Sequence, residues 1–347
     1  MTANGKPLST PRFVSARDVA ELAGVSRSAV SRAFTPGASV APETREKIMT
    51  AAAHLGYQVN DLARGLLANR SRIVGLVATK PELGFRAHLT AALATVLIRR
   101  GSVPVLINAG ETAEETEAAQ RTLFGHRAEA VIVLSGSPPS SFIELAKSNG
   151  LPLVAIGREA PEIDLVQTDN RRAARTVAAA FVAAGHRRLA LAGSESGTPA
   201  IVEREQAFLD EAARLGATVA VARGPDTDYA GGLQAAAQLF AAGERPTAVF
   251  AVNDLVAFAL MDHLKSRLDL RIPDDVAVVG FDDLPEAAWL GYGLTTFRQD
   301  PMEMAERAVA LLEERATVPT GAPVNLRLSA RLMVRDTFHP ADHIPET

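Results

Sequence analysis

Arg27, Ser28, Ser31 and Arg32 place two guanidinium groups and two hydroxyls within six consecutive positions. At helical spacing they fall on one side of a short helix. A guanidinium is a rigid fork of donors that fits guanine O6 and N7 or a phosphate, and hydroxyls also donate to phosphate oxygens. A short helix with this polar, basic side meets the requirements of a DNA major groove.

The elements that would position these groups are legible nearby. Residues 15–34 read as two short helices joined at Gly24-Val25-Ser26. Val19, Ala20 and Ala23 form one apolar face, Val30, Ala33 and Phe34 form the other, and Val25 plugs the corner. Gly24 supplies the left-handed conformation of a tight inter-helix turn. Ser26 is the expected N-cap of the second helix. Arg27 and Ser28 then open that helix, where base edges are read. Ser26, Ser31 and Arg32 are placed for phosphates, which position without specifying. Ser15 either touches a phosphate or simply caps the first helix. A third helix is expected over Pro42–Leu55, burying Ile48, Ala51, Ala52 and Leu55. Ala41 offers it no side-chain cap, a loss of roughly 1 kcal/mol. Residues 60–68 keep helical spacing but are too few to be stable alone, and Ala68–Arg72 reads as a linker.

Charge follows the same division. Residues 1–72 hold ten Lys/Arg against five Asp/Glu, while the whole chain of 347 residues carries −4. A basic head on an acidic body turns the head toward phosphates and keeps the body off them. The sequence has no cysteine, which excludes disulfides, thiolate zinc sites and cysteine nucleophiles. No apolar run approaches the ~18 residues of a membrane span, and the first residues lack the apolar core of a secretory signal. A cytoplasmic protein that makes no membrane contact is expected.

From Ile73 the pattern alternates short apolar strands with amphipathic helices, the mark of parallel sheets built from βαβ units. Strands are expected at 73–78, 103–107, 130–134, 153–156, 189–192, 217–221, 248–252 and 276–281. Helices fit between them. Eight strands divide more comfortably into two similar lobes, with a break near 163–171. A last helix over Pro301–Glu314 and a last strand over Val324–Leu328, continuing to Val334, are expected to cross back between the lobes. The fold class is therefore α/β: an all-α helix-turn-helix headpiece followed by a two-lobed core of parallel sheets flanked by helices. Open sheets of this kind bind ligands at the carboxyl ends of their strands. Thr79, Ser135, Arg158, Asn253-Asp254 and Asp282-Asp283 sit just past strands, as a small polar ligand held between hinged lobes would need. Asp282 is the leading candidate, since a carboxylate accepts two hydrogen bonds, although Asp282-Asp283-Leu284-Pro285 is also turn-like. Asn253 is similar. Arg204 either binds a ligand oxygen or pairs with Glu203 or Glu205. Phe85 either stacks on a ring or joins the core, and Tyr229 either reaches the cleft or stays on the surface.

Enzyme readings find little support. Gly193-Ser-Glu-Ser-Gly197 has the outline of a nucleophile elbow, but its centre is Glu195. There is no phosphate-binding Gly-rich loop ending in Lys-Ser/Thr. His339 and His343 lie in a Pro-flanked tail and read as solvated rather than as a zinc site. No enzyme activity, cofactor or metal is expected.

The chain resembles LacI/GalR-type bacterial repressors over almost its whole length. The resemblance rests on collinear motifs: Asp18-Val-Ala, Ala23-Gly-Val-Ser, Val30-Ser-Arg32, Thr44-Arg-Glu-Lys-Ile48, Leu55-Gly-Tyr57 and Asn60-Asp-Leu-Ala-Arg-Gly-Leu66. It continues through Ile156-Gly-Arg158, Asp169-Asn170, Gly185-His-Arg-Arg-Leu189, Asn253-Asp254, Val278-Val-Gly-Phe-Asp282 and Leu294-Thr-Thr-Phe-Arg-Gln299. It implies a disordered tail (1–13), a helix-turn-helix headpiece (14–58) and a hinge helix with linker (59–71). A periplasmic-binding-protein-like core (72–340) follows, one lobe from about 72–168 and 299–322, the other from about 169–298 and 323–340. It also implies a homodimer on a pseudo-palindromic operator in double-stranded DNA, controlled by a small-molecule effector, with a sugar or a sugar derivative such as a sugar phosphate as the family default and a purine or nucleoside as the other option. Asn60 and Leu66 match hinge positions on DNA, Leu66 being the side chain inserted into the minor groove, a contact between the two hinges of the dimer, or both. Thr79, Phe85, Arg158, Arg204, Asn253 and Asp282 are the effector candidates. The alternative is a periplasmic-type sugar-binding transport component with the same core. Departures fall around the effector site: Leu83-Gly-Phe-Arg86 stands where an Asn-Pro-Phe-Phe-like run is usual, and Ala207 and Ala259 replace frequent glycines.

Overall fold

A computed structural model describes residues 13–35, 37–59, 70–110, 112–134, 140–157, 162–241, 244–318 and 321–340. It divides into two compact units, Met1–Ser71 and Arg72–Thr347.

The described residues of the first unit form three helices: α1 (Ala16–Ala23), α2 (Arg27–Ala33) and α3 (Pro42–Leu55). Each starts and stops for a local reason. Ser15 caps α1 in a reciprocal box with Asp18, and Gly24 ends the helix at φ +65°. Ser26 caps α2 by accepting from the Ala29 N–H at 3.2 Å. Pro42 opens α3, which has no side-chain cap at Ala41, and Gly56 closes it at φ +64°. Val19, Ala20, Val30, Ala33, Ile48, Ala51 and Ala52 make the core. Phe34 packs edge-on to Tyr57, their ring centroids 5.4 Å apart.

The second unit holds two six-stranded sheets. The first contains β1 (Ile73–Ala78), β2 (Val103–Asn108), β3 (Ala130–Val133), β4 (Leu153–Ile156), β5 (Asp164–Thr168) and β11 (Asn325–Leu328), in the order β11-β5-β4-β3-β1-β2. All its pairings are parallel. The helices α4 (Phe85–Arg99), α5 (Ala113–Gly125), α6 (Ser140–Ser148) and α11 (Pro301–Thr317) belong to this lobe. Leu89, Leu93, Met304 and Val309 fill one apolar cluster, and Leu123, Phe142 and Ala146 another.

The second sheet contains β6 (Arg188–Ser194), β7 (Thr218–Gly224), β8 (Ala248–Ala251), β9 (Ala277–Asp282), β10 (Thr295–Arg298) and β12 (Arg331–Met333), in the order β12-β10-β9-β8-β6-β7. Only β12 runs antiparallel, against β10. Helices α7 (Asn170–Ala183), α8 (Pro199–Arg214), α9 (Tyr229–Leu239) and α10 (Asp254–Leu268) share one core with this sheet. β1, β3, β4, β8 and β9 are buried along their full length, which accounts for their unbroken apolar runs.

The structure corrects the sequence reading at the crossings. Residues 164–168, expected within a break between lobes, are a buried strand of the first sheet. Residues 295–298 are a strand of the second. The single strand expected over 324–334 is two strands in different sheets, so the chain returns to the second lobe after Leu328 rather than at 323. Three passages thus join the lobes: Thr168 to Asn170, Arg298 to Pro301 and Leu328 to Arg331.

Close packing around β7 leads to a first prediction. A Cβ on Gly224 would lie 2.1 Å from the Gly231 carbonyl oxygen, a backbone atom that cannot swing aside. Gly224→Ala is expected to lower unfolding stability by about 3 kcal/mol in urea titrations. Gly125→Ala, whose Cβ would meet nothing within 4 Å, is the control and should show no loss.

Candidate functional site

In the first unit, Arg27, Ser28, Ser31 and Arg32 are all exposed on α2, while Val30 and Ala33 of the same helix are buried. The Ser26 and Ser28 hydroxyls lie 3.0 Å apart at the helix start. Arg27 and Arg32 form no ion pair among the described residues. Ser15 is committed to its cap, its Oγ donating to Asp18 Oδ2 at 2.8 Å. Arg45 of α3 donates to the Ala38 carbonyl at 3.2 Å and to the Ala33 carbonyl at the end of α2, fixing α2 to α3. Asn60 and Leu66 lie outside the described residues, as does the expected tail up to residue 12.

In the second unit, a cleft with an empty volume of about 750 Å³, open solvent at its mouth included, lies between the lobes. The first lobe contributes Phe85 and Arg86 at the start of α4 and Thr168 at the end of β5. The second contributes Asn170, Arg204, Thr227, Asn253 and Asp282, and Gln299 comes from the second crossing. Most of these follow strand ends or open helices, as expected for a ligand site on open sheets.

Arg204 organises the floor. It is 4% exposed. Its Nε donates to Asn170 Oδ1 at 2.8 Å and its Nη1 to the Val252 carbonyl at 2.8 Å, with Asp282 Oδ1 3.8 Å away. The guanidinium carbon lies 3.5 Å from the centroid of the Phe281 ring, which stacks in turn on Phe297. Burial lowers the Arg204 pKa to about 10, against the opposing charges of Asp282, Asp254 and Glu203. It remains a cation at neutral pH. Neither sequence-adjacent glutamate is its partner: Glu203 pairs with Arg171 at 3.4 Å and Glu205 with Arg223 at 2.7 Å.

Asp282 ends β9 at φ +128°, and Asp283 follows at φ +57°. Both conformations are rare for residues with a side chain, and their partners hold them there. Asp282 Oδ1 accepts from Gln299 Nε2 at 2.6 Å, while Gln299 Oε1 accepts from Thr168 Oγ1 at 2.6 Å. This chain of hydrogen bonds runs from the first lobe through the crossing to the second. Burial raises the Asp282 pKa to about 6, opposed by the Arg204 charge, the Gln299 amide and the Arg86 charge. Asp283 sits outside the cleft lining, clamped by Arg298 and Arg335 at 2.5 Å each. Behind the cleft, Asp254 is fully buried and accepts from Thr296 Oγ1 at 2.6 Å and the Leu284 N–H at 2.8 Å. At the lobe tips, Lys80 donates to Asp226 at 2.8 Å, an ion pair between the loops after β1 and β7.

Of the six effector candidates, the structure brings Phe85, Arg204, Asn253 and Asp282 to one cleft. Asn253 spends its side chain on structure, capping α10 through the Val256 N–H and donating to the Thr227 carbonyl. Thr79 does not line the cleft; its carbonyl accepts from the Arg86 guanidinium. Ser135 and Arg158 lie outside the described residues. Tyr229 is on the surface, its hydroxyl bonded to Asp262 at 2.6 Å. Sequence reasoning gave no role to Arg86, Thr168, Asn170 or Gln299. Thr168 and Gln299 flank the two unrecognised strands, so their position past a strand end was hidden.

A helix-turn-helix unit followed by a two-lobed unit with a polar interlobe cleft defines a class of regulators that couple DNA to a small molecule. Comparison with known proteins gives the family. Residues 15–60 match the model for bacterial regulatory proteins of the lacI family, and residues 178–338 match the periplasmic binding protein-like domain. The HTH-type transcriptional regulator CelR of Thermobifida fusca is 32% identical over 330 residues, covering 92% of this chain and 96% of that protein. The HTH-type transcriptional repressor PurR of Photobacterium profundum is 28% identical over 304 residues, covering 86% and 91%. Among solved structures, a lac repressor dimer bound to operator and the anti-inducer ONPF superposes with a TM-score of 0.83 at 25% identity, covering 94% of this chain and 99% of that one. A CelR–cellobiose complex gives 0.71 at 30% identity, covering 94% and 100%. The chain belongs to the lacI family of bacterial regulatory proteins and is a DNA-binding transcriptional regulator. No helix among the described residues is long and apolar enough to cross a membrane.

Proposed function

We infer that the protein is a cytoplasmic, homodimeric repressor whose heads each read half of a pseudo-palindromic operator. A small molecule in the interlobe cleft controls its affinity, and a sugar or sugar derivative is the class the lining favours. The observation that carries this reading is the α2 surface: Arg27, Ser28, Ser31 and Arg32 face outward from a helix whose opposite side is locked into its own core. The cleft supports the second half, since Asp282, Arg204, Asn170 and Gln299 give a hydroxyl-rich ligand both acceptors and donors. The curated relatives are transcriptional regulators, which favours a non-catalytic reading. Exposed Ile98, Val103, Leu106, Trp289 and Leu290 provide apolar surface for a second copy of the chain.

The test is a gel shift of the full-length protein on its own promoter DNA at physiological salt. A sequence-selective complex is expected, and uniform binding to unrelated DNA would overturn the reading. Arg27→Ala is expected to weaken the selective complex roughly ten- to a hundredfold while leaving weak non-selective binding in place.

A further inference from the structure

The cleft contains a cation that the regulator reading leaves without a role. Arg86 lies in the first turn of α4 and lines the cleft beside Phe85. It is half-buried, and its Nη1 donates to the Thr79 carbonyl. Among the described residues it forms no ion pair with a carboxylate. Burial lowers its pKa, opposed by the charges of Asp226, Glu82 and Asp282 at longer range. Those three carboxylates do not complete it. Asp226 is held by Lys80 and Asp282 by Gln299 and Arg204, while Glu82 is exposed. A half-buried guanidinium with most of its donors turned to an open cleft is placed to receive the acceptors of a ligand.

The charge of the lining agrees. Among the described residues that line the cleft, Arg86 and Arg204 are cations and Asp282 is the one carboxylate. The Lys80–Asp226 pair at the rim cancels itself. The start of α4 adds to the same field. Its N-cap position is held by Gly84, which supplies no side-chain acceptor, whereas α7 and α10, which also begin at the cleft, are capped by Asp169 and Asn253. The Arg86 and Ala87 N–H groups of that turn donate to the Leu83 and Gly84 carbonyls at 3.2 Å each, so the helix start adds only the positive end of its dipole.

We propose that the effector carries an acidic group, a carboxylate or a phosphate, that docks on Arg86 at the head of α4, while its hydroxyls are held by Asp282 and Asn170. The proposal rests on the effector-binding reading and deepens it, from a sugar or sugar derivative of any kind to one that bears an acid. Arg86 is then the residue that sets specificity. Arginine suits this position because its planar fork grips both oxygens of an acid at once.

The test uses the smallest probes that carry the proposed group. Full-length protein is melted in sodium chloride, sodium acetate and sodium phosphate at matched ionic strength and pH 7, as wild type, R86Q and R86K. Wild type should be stabilised by acetate or phosphate over chloride in a saturable manner. R86Q should need at least about ten times more anion for the same shift, and R86K should fall between. Acetate alone acting identifies a carboxylate, and phosphate alone identifies a phosphate ester. Failure of both anions to stabilise wild type, or an equal shift in R86Q, overturns the proposal. If R86Q does not fold, an R86K response equal to wild type in midpoint and size overturns it. Selective promoter binding by the same wild-type sample shows that the regulator reading stands independently, so the two can fail separately.

Discussion

Replacing Arg204 with alanine is expected to lower the unfolding stability of the second unit by about 3–5 kcal/mol, the largest single effect among the cleft residues. Three losses combine. Asp282 loses the nearest cation in a site where it is 7% exposed. Asn170 Oδ1 and the Val252 carbonyl lose their donors. Phe281 loses the plane stacked on its face. The pH dependence has a defined sign. The folded-state pKa of Asp282, about 6, lies above the usual aspartate value of ~3.9. Its protonation therefore favours the fold below pH ~3.9, and that contribution is lost as pH rises through about 6. Without Arg204 the carboxyl is pushed higher still. Urea titrations at pH 5 and pH 8 should show the variant losing more stability than wild type between the two. Arg204→Met separates charge from volume, since it refills the space and leaves Asp282 unpaired. Asp282→Asn in the Arg204→Met background should recover part of the loss. A variant as stable as wild type at both pH values would show that the buried pair contributes nothing.

Val30→Asp is expected to abolish promoter binding, with at least a hundredfold loss in the gel shift. Val30 is fully shielded at the centre of a seven-residue core made mostly of alanine and valine. Burying a carboxylate there costs several kcal/mol, and a unit this small has only a few to lose. The first unit should unfold, with a fall in helical circular dichroism. The second unit has separate cores of its own and should keep its unfolding midpoint. Retained promoter affinity would show that DNA is read elsewhere. Together with Arg27→Ala, which removes a contact and leaves the fold, this variant distinguishes a lost reader from a lost scaffold.

The headpiece was almost fully legible in the sequence. Helix α3 begins and ends at the expected residues, and the Gly24 turn and Ser26 cap have the expected form. The apolar strands of the core were equally clear. What the sequence concealed were Asp164–Thr168 and Thr295–Arg298, which are short and partly polar and resemble loops when read alone. Only pairing with β4, β11, β9 and β12 makes them strands. Because they carry the lobe crossings, missing them also hid Thr168 and Gln299 at their ends.

Local sequence was enough to specify the three headpiece helices, their caps, the outward basic face of α2 and the strand–helix alternation of the body. These depend on periodicity and on side chain-to-backbone bonds spanning three or four residues. Which polar residues share the cleft was settled by long-range packing alone. It gave Arg204 to Asn170, Asp282 and Phe281 rather than to its neighbouring glutamates, and it left Arg86 facing the cleft without a carboxylate partner among the described residues. The Arg204 pairings join residues from 34 to 78 positions apart. Desolvation in the interlobe space selects them, and no local pattern in the chain encodes that.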